Sequence, residues 1–436
     1  MPLTRQSYGG VNPRSDDWQY GRPYLSGMSE KGTTPPSAPP TERPAQSGPA
    51  APRIDEVDAL RGFALLGILM ANVMVVSTLV SIRIDDDSLF VPFTGPDDAA
   101  VWTVVTSLFL GKFFLLFSFL FGYSFTLQLE AVKRAGVPAL PCLLRRCAAL
   151  FALGAVHVAL LWFGDILTLY ALLCVVLVVL RNVRPVIAAA LGCCVLAALS
   201  ADKLWTLGLF PTGGTDLVWF FDATRDAGFL GGFHDTLHTQ LDVGPRFAVE
   251  VIWPGQGPQA LALFLFGFAA GKRRLLTDTD ALRPWLGRVQ AVGLLVGGPV
   301  AVWAAIAERY DTGLPALVEA VVPIADALVT AFYIATVVRL CRGRAGRHVV
   351  AALAPAGRMA ATNYVAQSAV FMVLYTGYGF ALADDVPALG IVALAALTYA
   401  VQLAASAWWL SRHPHGPVEW ALRAATYARR PRWRSS

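Results

Sequence analysis

The chain has 436 residues, 56% of them apolar and 15% charged, with a mean hydropathy of +0.53. A soluble globular chain carries about 25% charged residues, so an ordinary soluble domain is excluded. The net charge of +5 sits at the ends of apolar runs, which points to the lipid bilayer as partner and to no nucleic acid. The fold class is therefore all-α, a polytopic membrane helical bundle. The alternating segments of about ten residues that mark an outer-membrane barrel are absent.

Residues 1–52 are rich in Pro, Ser, Gly, Thr and Arg and contain no apolar run. They are expected to form a disordered cytosolic tail, with no signal peptide. The transmembrane domain runs from 53 to 411. Apolar spans are expected near 60–80, 101–129, 143–163, 166–181, 185–201, 250–271, 289–307, 315–340, 349–379 and 387–411, about ten in all. The second and ninth are long enough to include a broken or interfacial piece. Between the fifth and sixth lies a large aromatic, Gly-rich loop, 202–249, expected to fold over the outer mouth. Residues 412–436 form a basic cytosolic tail, with an amphipathic surface helix over 416–427.

Orientation follows from the arginines. Lys133, Arg134, Arg145 and Arg146 separate the second and third spans, and Arg181 and Arg184 the fourth and fifth. Further basic groups follow the sixth, eighth and tenth spans. The alternate loops are acidic or nearly uncharged, so both termini are expected in the cytosol of a plasma-membrane protein.

Several side chains inside or beside these spans are too polar for lipid. Asp58, Arg61 and Asn72 share one face of the first helix, a stripe suited to a phosphate or carboxylate, or else an ordinary positive anchor with an acidic cap. Lys112 opens an apolar run and needs a partner, a cavity or an exit to the interface. His157 is the one histidine deep in a span. It is suited to general-base work or a proton relay, or to a structural hydrogen bond. Asp165 caps the fourth helix, orients His157 or receives an acceptor, although the hairpin is expected to hold it some way from His157. Asp326 lies mid-span with Arg61 or Lys112 as candidate partners. Arg358, Asn363, Tyr364 and Gln367 suggest a lined cavity. No metal site is expected: the six cysteines lack metal-ligand spacing, and His234 and His238 have no accompanying glutamate.

Five motifs recur together in order. They are Arg53-Ile-x-x-Val-Asp58-x-Leu-Arg61-Gly62 running on to Asn72, Lys112-Phe-Phe-x-Leu-Phe-Ser118-x-Leu-Phe-Gly122, and His157-x-x-Leu-Leu-Trp-x-Gly-Asp165. Gly357-Arg358-Met-Ala-x-Thr-Asn363-Tyr364-x-x-Gln367-Ser368 and Gly416-Pro-x-Glu419-Trp420-x-x-Arg423-x-x-Thr-Tyr427 complete the set. From 53 to 427 the chain resembles the YeiB-like family, domain of unknown function 418. That family is in turn similar to the acyltransferase-3 proteins and the heparan-glucosaminide acetyltransferase.

The resemblance implies transfer of an acyl group from cytosolic acyl-CoA, a co-substrate and not a bound cofactor, to a hydroxyl or amine of a small-molecule or envelope acceptor. Those acyltransferases carry an essential histidine in or shortly after the first two spans, where this chain has none; the residues themselves give the expected sites, a donor or anion site at Asp58, Arg61, Asn72, Lys112 and Arg358, catalysis by His157 and Asp165, and a cavity lined by Asp326, Asn363, Tyr364 and Gln367. The competing readings are a transporter or exporter of a small metabolite, and a non-catalytic membrane partner of a biosynthetic complex.

Overall fold

A computed structural model describes residues 54–80, 83–85, 88–90, 95–205, 218–224, 228–277, 282–310, 312–383 and 385–434. The expected N-terminal tail, Arg53 and part of the 202–249 loop lie outside the described residues. The helices in chain order begin with α1 (Asp55–Leu79), a short hairpin β1 (Arg83–Asp85) and β2 (Ser88–Phe90), α2 (Pro96–Leu108), α3 (Lys112–Arg134), α4 (Ala139–Leu160), α5 (Leu167–Val179) and α6 (Pro185–Trp205). The former loop region supplies α7 (Val218–Thr224) and α8 (Phe233–Phe247), which runs through a π-turn into α9 (Trp253–Lys272). Then come α10 (Arg283–Val292), a second π-turn, α11 (Gly298–Tyr310), α12 (Ala316–Arg342), α13 (Gly346–Arg358), α14 (Ala360–Tyr375), α15 (Ala388–Leu410) and α16 (Pro417–Tyr427).

Among the described residues, seven helical segments are long and apolar enough to cross a membrane: α1, α2 with α3, α4, α6, α10 with α11, α12 and α15. Three of the expected spans are not among these seven. Leu167–Asn182 is a shorter apolar helix, α9 is diluted by Pro254, Gln256, Pro258 and Gln259, and the ninth is broken at Met359 into α13 and α14. The break sits between Arg358 and Asn363, where backbone polar groups have other partners within the bundle.

Helix ends meet in two groups. At one end Arg342 pairs with Glu56 (3.6 Å), Arg274 with Glu130 (3.1 Å), and Lys272 donates to the Val183 carbonyl (2.6 Å). At the other, Asp98 accepts from the Ala388 N–H (3.1 Å), Lys203 pairs with Glu319 (3.2 Å), and the Gly377 N–H donates to the Phe229 carbonyl (2.8 Å). The first group carries most of the loop arginines.

Helix α1 lies at the centre and buries Val57, Leu60, Ala64, Leu65 and Ile68 among its neighbours. It packs along α13 because Gly62 sits on the Leu353 carbonyl and Gly357 on the Asp58 carbonyl, leaving no room for a Cβ. Helices α3 and α9 use the same device, with Gly122 on the Phe264 carbonyl and Gly267 on the Phe119 carbonyl. Small residues at helix crossings allow this close approach where lipid offers no hydrophobic drive. Between α2 and α3 the backbone turns at Gly111, whose φ of +81° suits glycine. Beside that turn the Lys112 ammonium meets Asp326 Oδ1 (3.2 Å) and the Thr106 carbonyl (3.2 Å), with both side chains buried.

Two outcomes follow. Gly357→Val should lower stability by about 2 kcal/mol, since overpacking costs roughly 1–3; a thermal midpoint in detergent that does not fall would contradict this packing. Asp326→Leu alone strands the Lys112 charge and should cost about 3 kcal/mol, whereas Lys112→Met with Asp326→Leu should recover most of it. Equal losses in the single and double variants would show that the pair contributes no coupling.

Candidate functional site

The polar groups of the bundle concentrate where α4 ends and α14 passes it. His157 occupies the last turn of α4, on the same inward face as Leu150 and Gly154. The chain leaves α4 at Leu160, turns through Trp162, Phe163 and Gly164, and folds back before α5 begins. That reversal brings Asp165 Oδ1 to 2.9 Å from His157 Nδ1. The separation expected for these two residues is thereby corrected: six residues of tight turn place the carboxylate beside the ring. Gly154 makes room, because a Cβ there would meet Thr168 and Asp165.

Both oxygens of Asp165 are engaged. While Oδ1 faces His157, Oδ2 accepts from the Thr168 N–H and from Thr168 Oγ1, each at 2.8 Å. The second pair holds the first turn of α5 in the manner of an N-cap. The far nitrogen of His157, Nε2, lies 2.8 Å from Ser368 Oγ on α14. Carboxylate, imidazole and hydroxyl therefore form one hydrogen-bonded chain from three separate segments. Asp165 and Ser368 are fully buried and His157 is 1% exposed. A carboxylate on Nδ1 fixes the tautomer with its proton there and leaves Nε2 as the acceptor, the arrangement that lets a histidine take a proton from a hydroxyl.

Neighbouring groups hold the chain in place. Tyr364 lies against the His157 ring (centroids 5.1 Å apart), and its hydroxyl accepts from the Ile166 N–H at 3.5 Å. Trp253 Nε1 donates to Thr168 Oγ1 (3.2 Å), and Gln240 of α8 donates to the Val158 carbonyl (2.6 Å). Above it, Phe163, Phe220, Phe229 and Phe247 form a closed aromatic cluster, with the Phe163 ring 5.0–5.6 Å from the other three. The described part of the expected outer loop is thus a helical cover over the turn that holds Asp165.

The other expected site residues divide into three places. Arg61 donates to Asp58 Oδ1 (2.6 Å) and to Ser124 Oγ (2.5 Å), near the end of the bundle where α1 begins. Arg358, half-buried, ends α13 beside Gly357, which packs on Asp58 and Gly62. Asn72 is half-buried further along α1, about 16 Å from Arg61 by helical rise. Lys112 stands twelve residues before Ser124 on α3, about 18 Å away, with its charge taken by Asp326. Lys112 therefore stands at a different depth from Arg61 and is paired with Asp326, so the two are not neighbours in the structure.

Asn363 and Gln367, expected to line a cavity, are buried in hydrogen bonds between helices. Asn363 donates to the Ala356 carbonyl (3.1 Å) and Ser406 (2.9 Å), and Gln367 to the Leu65 carbonyl (3.2 Å) and Gln402 (2.9 Å). The sequence suggests no role for Ser368 or Thr168, and for Ser124 only close helix packing, whereas Ser124 Oγ accepts from Arg61. Ser368 stands one turn after Tyr364 in the same motif, so its helical face was readable, but its distance to His157 across 211 positions was not.

A family model described as "Protein of unknown function (DUF418)" matches residues 270–429. The uncharacterized protein YxaH of Bacillus subtilis (strain 168) is 30% identical over 395 residues, covering 86% of this chain and 94% of its own length. An uncharacterized 39.9 kDa protein from the amylase 3' region of Bacillus acidopullulyticus is 25% identical over 401 residues, covering 87% and 95%. The uncharacterized protein YeiB of Escherichia coli (strain K12) is 26% identical over 390 residues, covering 85% and 95%. With that identity extending over most of both chains, the protein belongs to the YeiB-like DUF418 family.

Proposed function

We propose that this protein is a multi-pass membrane acyltransferase in which His157, oriented by Asp165, is the general base for an attacking hydroxyl. The observation that carries this reading is the Asp165–His157–Ser368 chain, with 2.9 Å and 2.8 Å links. A base must lie within hydrogen-bond reach of the proton it takes, and Ser368 Oγ marks a hydroxyl position at that reach. The acceptor, a small molecule or envelope component bearing a hydroxyl or amine, would enter by displacing the aromatic cover of α7 and α8. Its hydroxyl would replace Ser368 at Nε2, lose its proton there as it attacks the acyl carbonyl, and release the thiol of the donor.

In this reading the chain crosses the plasma membrane ten times with both termini in the cytosol. The alternation of joined helix ends supports this, with α5, the α8–α9 unit and the broken α13–α14 unit added to the seven long apolar segments. Arg61 then faces the cytosol, where an acyl-CoA thioester would arrive, and the donor class itself comes from the motif likeness. A second reading, an ion-coupled transporter, is favoured by the buried Lys112–Asp326 pair.

The decisive assay follows labelled acyl groups from thioester to membrane or soluble acceptors in vesicles holding the full chain. His157→Ala should lower transfer by roughly 10²–10⁴-fold, with protein abundance unchanged. Asp165→Asn should also lower it severely, because the carboxylate sets the tautomer. Ser368→Ala keeps the base and its orienter, and should cost about tenfold or less. Unaltered transfer in His157→Ala would end this mechanism. Solute flux that follows an imposed proton gradient, without thioester consumption, would select the transporter instead.

A further inference from the structure

Helices α10 and α11 run beside α12, and the π-turn that joins them is drawn against it. Gly293 sits on the Leu328 carbonyl and Phe332, and Gly297 on the Ala325 carbonyl, with no room for a Cβ at either. Two cavities open along this crevice. The first, about 480 Å³, is walled by Gln290 of α10, by Thr336, Arg339 and Leu340 of α12, and by the turn at 343–345. The second, about 550 Å³, begins one turn away on both walls, where Gly293 and Leu294 face Phe332 and Tyr333. It continues past Val329 to Trp303 and Ile306 of α11.

The two cavities differ in chemistry. In the first, Gln290 Nε2 donates to Thr336 Oγ1 and Gln290 Oε1 accepts from Arg339 Nη1, each at 2.9 Å, which holds the guanidinium at the mouth. Arg344 stands exposed on the turn beside it. Among the described residues neither arginine pairs with a carboxylate, whereas Arg342 meets Glu56 at 3.6 Å. The amide of Gln290 positions Arg339 without neutralising it. In the second cavity the two hydroxyls of the wall are already engaged: Ser107 donates to the Thr103 carbonyl (2.6 Å) and Tyr333 to the Leu108 carbonyl (2.7 Å). The rest of the wall is apolar or glycine, with Leu294 and Trp303 exposed. Both sides of the crevice belong to segments long and apolar enough to cross a membrane, so its apolar part opens to acyl chains. From Arg339 to Val329 is ten residues, about 15 Å along α12. That is the depth of one leaflet, half of a hydrocarbon core of about 30 Å.

We infer that this crevice binds one anionic phospholipid, with its phosphate at Arg339 and Arg344 and an acyl chain along Leu294, Phe332, Val329 and Trp303. Guanidinium takes phosphate bidentately, and a basic pocket between membrane helices selects anionic head groups. A soluble phosphate would leave the apolar cavity unfilled, and a second copy of the chain laid over the crevice would cover two arginines without a counter-charge. The site shares no residue with the Asp165–His157–Ser368 chain, so it stands or falls apart from the transferase reading.

The test takes the full chain in a neutral detergent and titrates phosphatidylglycerol, phosphatidylcholine and glycerol 3-phosphate. Native mass spectrometry reads the retained adducts, and the thermal midpoint reads binding in solution. Phosphatidylglycerol should be retained as a single adduct and raise the midpoint, with half-saturation about tenfold or more below that of phosphatidylcholine. Arg339→Gln with Arg344→Gln should remove this preference. Gly298→Phe should weaken both lipids alike: a Cβ there meets only Leu294, at 3.9 Å, so the ring fills the apolar cavity and leaves the helix in place. If the double variant fails to accumulate, Arg344→Gln alone and Gly298→Phe carry the comparison. No retained adduct, equal retention of the two lipids by the native chain, or retention unchanged in Gly298→Phe overturns the site. A midpoint raised as much by glycerol 3-phosphate overturns the lipid, because the apolar cavity then contributes nothing. Dimers in place of adducts, dissociated by Gly298→Phe, give the crevice to a second copy and overturn it too.

Discussion

A polar group enclosed by apolar helices must be satisfied by another helix, and this constraint orders the whole molecule. Water in an aqueous protein would solvate His157, Asp165, Lys112 and Asp326 at modest cost; within an apolar bundle each must find a partner across a helix boundary. Asp165 is satisfied on both oxygens, by the ring of His157 and by Thr168. Lys112 is satisfied by Asp326 and a carbonyl from the preceding helix. The Lys112–Asp326 and His157–Ser368 links join segments far apart in the chain, so such polar residues specify which helices are neighbours. The apolar residues, interchangeable in lipid, could not do so.

The same constraint requires close helices. Hydrogen bonds of about 2.9 Å between side chains of different helices demand that backbones approach, and the glycines at 62, 357, 122 and 267 permit it. The motif glycines and the motif polar residues are therefore parts of one device. Gly357 sets α13 against α1 beside Asp58; four residues into the next helix, Asn363 ties α14 to α15. Removing the side chain at one position is what lets the side chain at the other reach.

The helical class and the positions of the long apolar segments were legible from hydropathy. The seven long apolar segments coincide with expected spans because a helical run of eighteen or more mostly apolar residues with few charges admits few other meanings. Of the remaining three expected spans, the ninth was read as long enough to hold a break and is broken at Met359, while the other two are a short helix and a Pro-rich helix after a π-turn. Hydropathy averages over twenty residues and is blind to such interruptions. In the site, residue types and helical faces were legible, and roles were assigned to His157 and Asp165 from them. Their contact was not, because it depends on a turn of six residues whose conformation is set by Trp162 and Phe163 packing under α8 and the Phe220 and Phe229 rings.

The sequence by itself determined that the chain is an apolar helical protein of the YeiB-like family, where its basic loops lie, and which residues are too polar for lipid to tolerate alone. Those are properties of composition and local spacing. Tertiary structure alone decided the pairings: His157 with Ser368 across 211 positions, and Lys112 with Asp326. The physical reason is that a buried charge states only that it needs a partner. Which partner it receives depends on the crossing of helices, and that is fixed by packing at glycines and aromatics distributed over the whole chain.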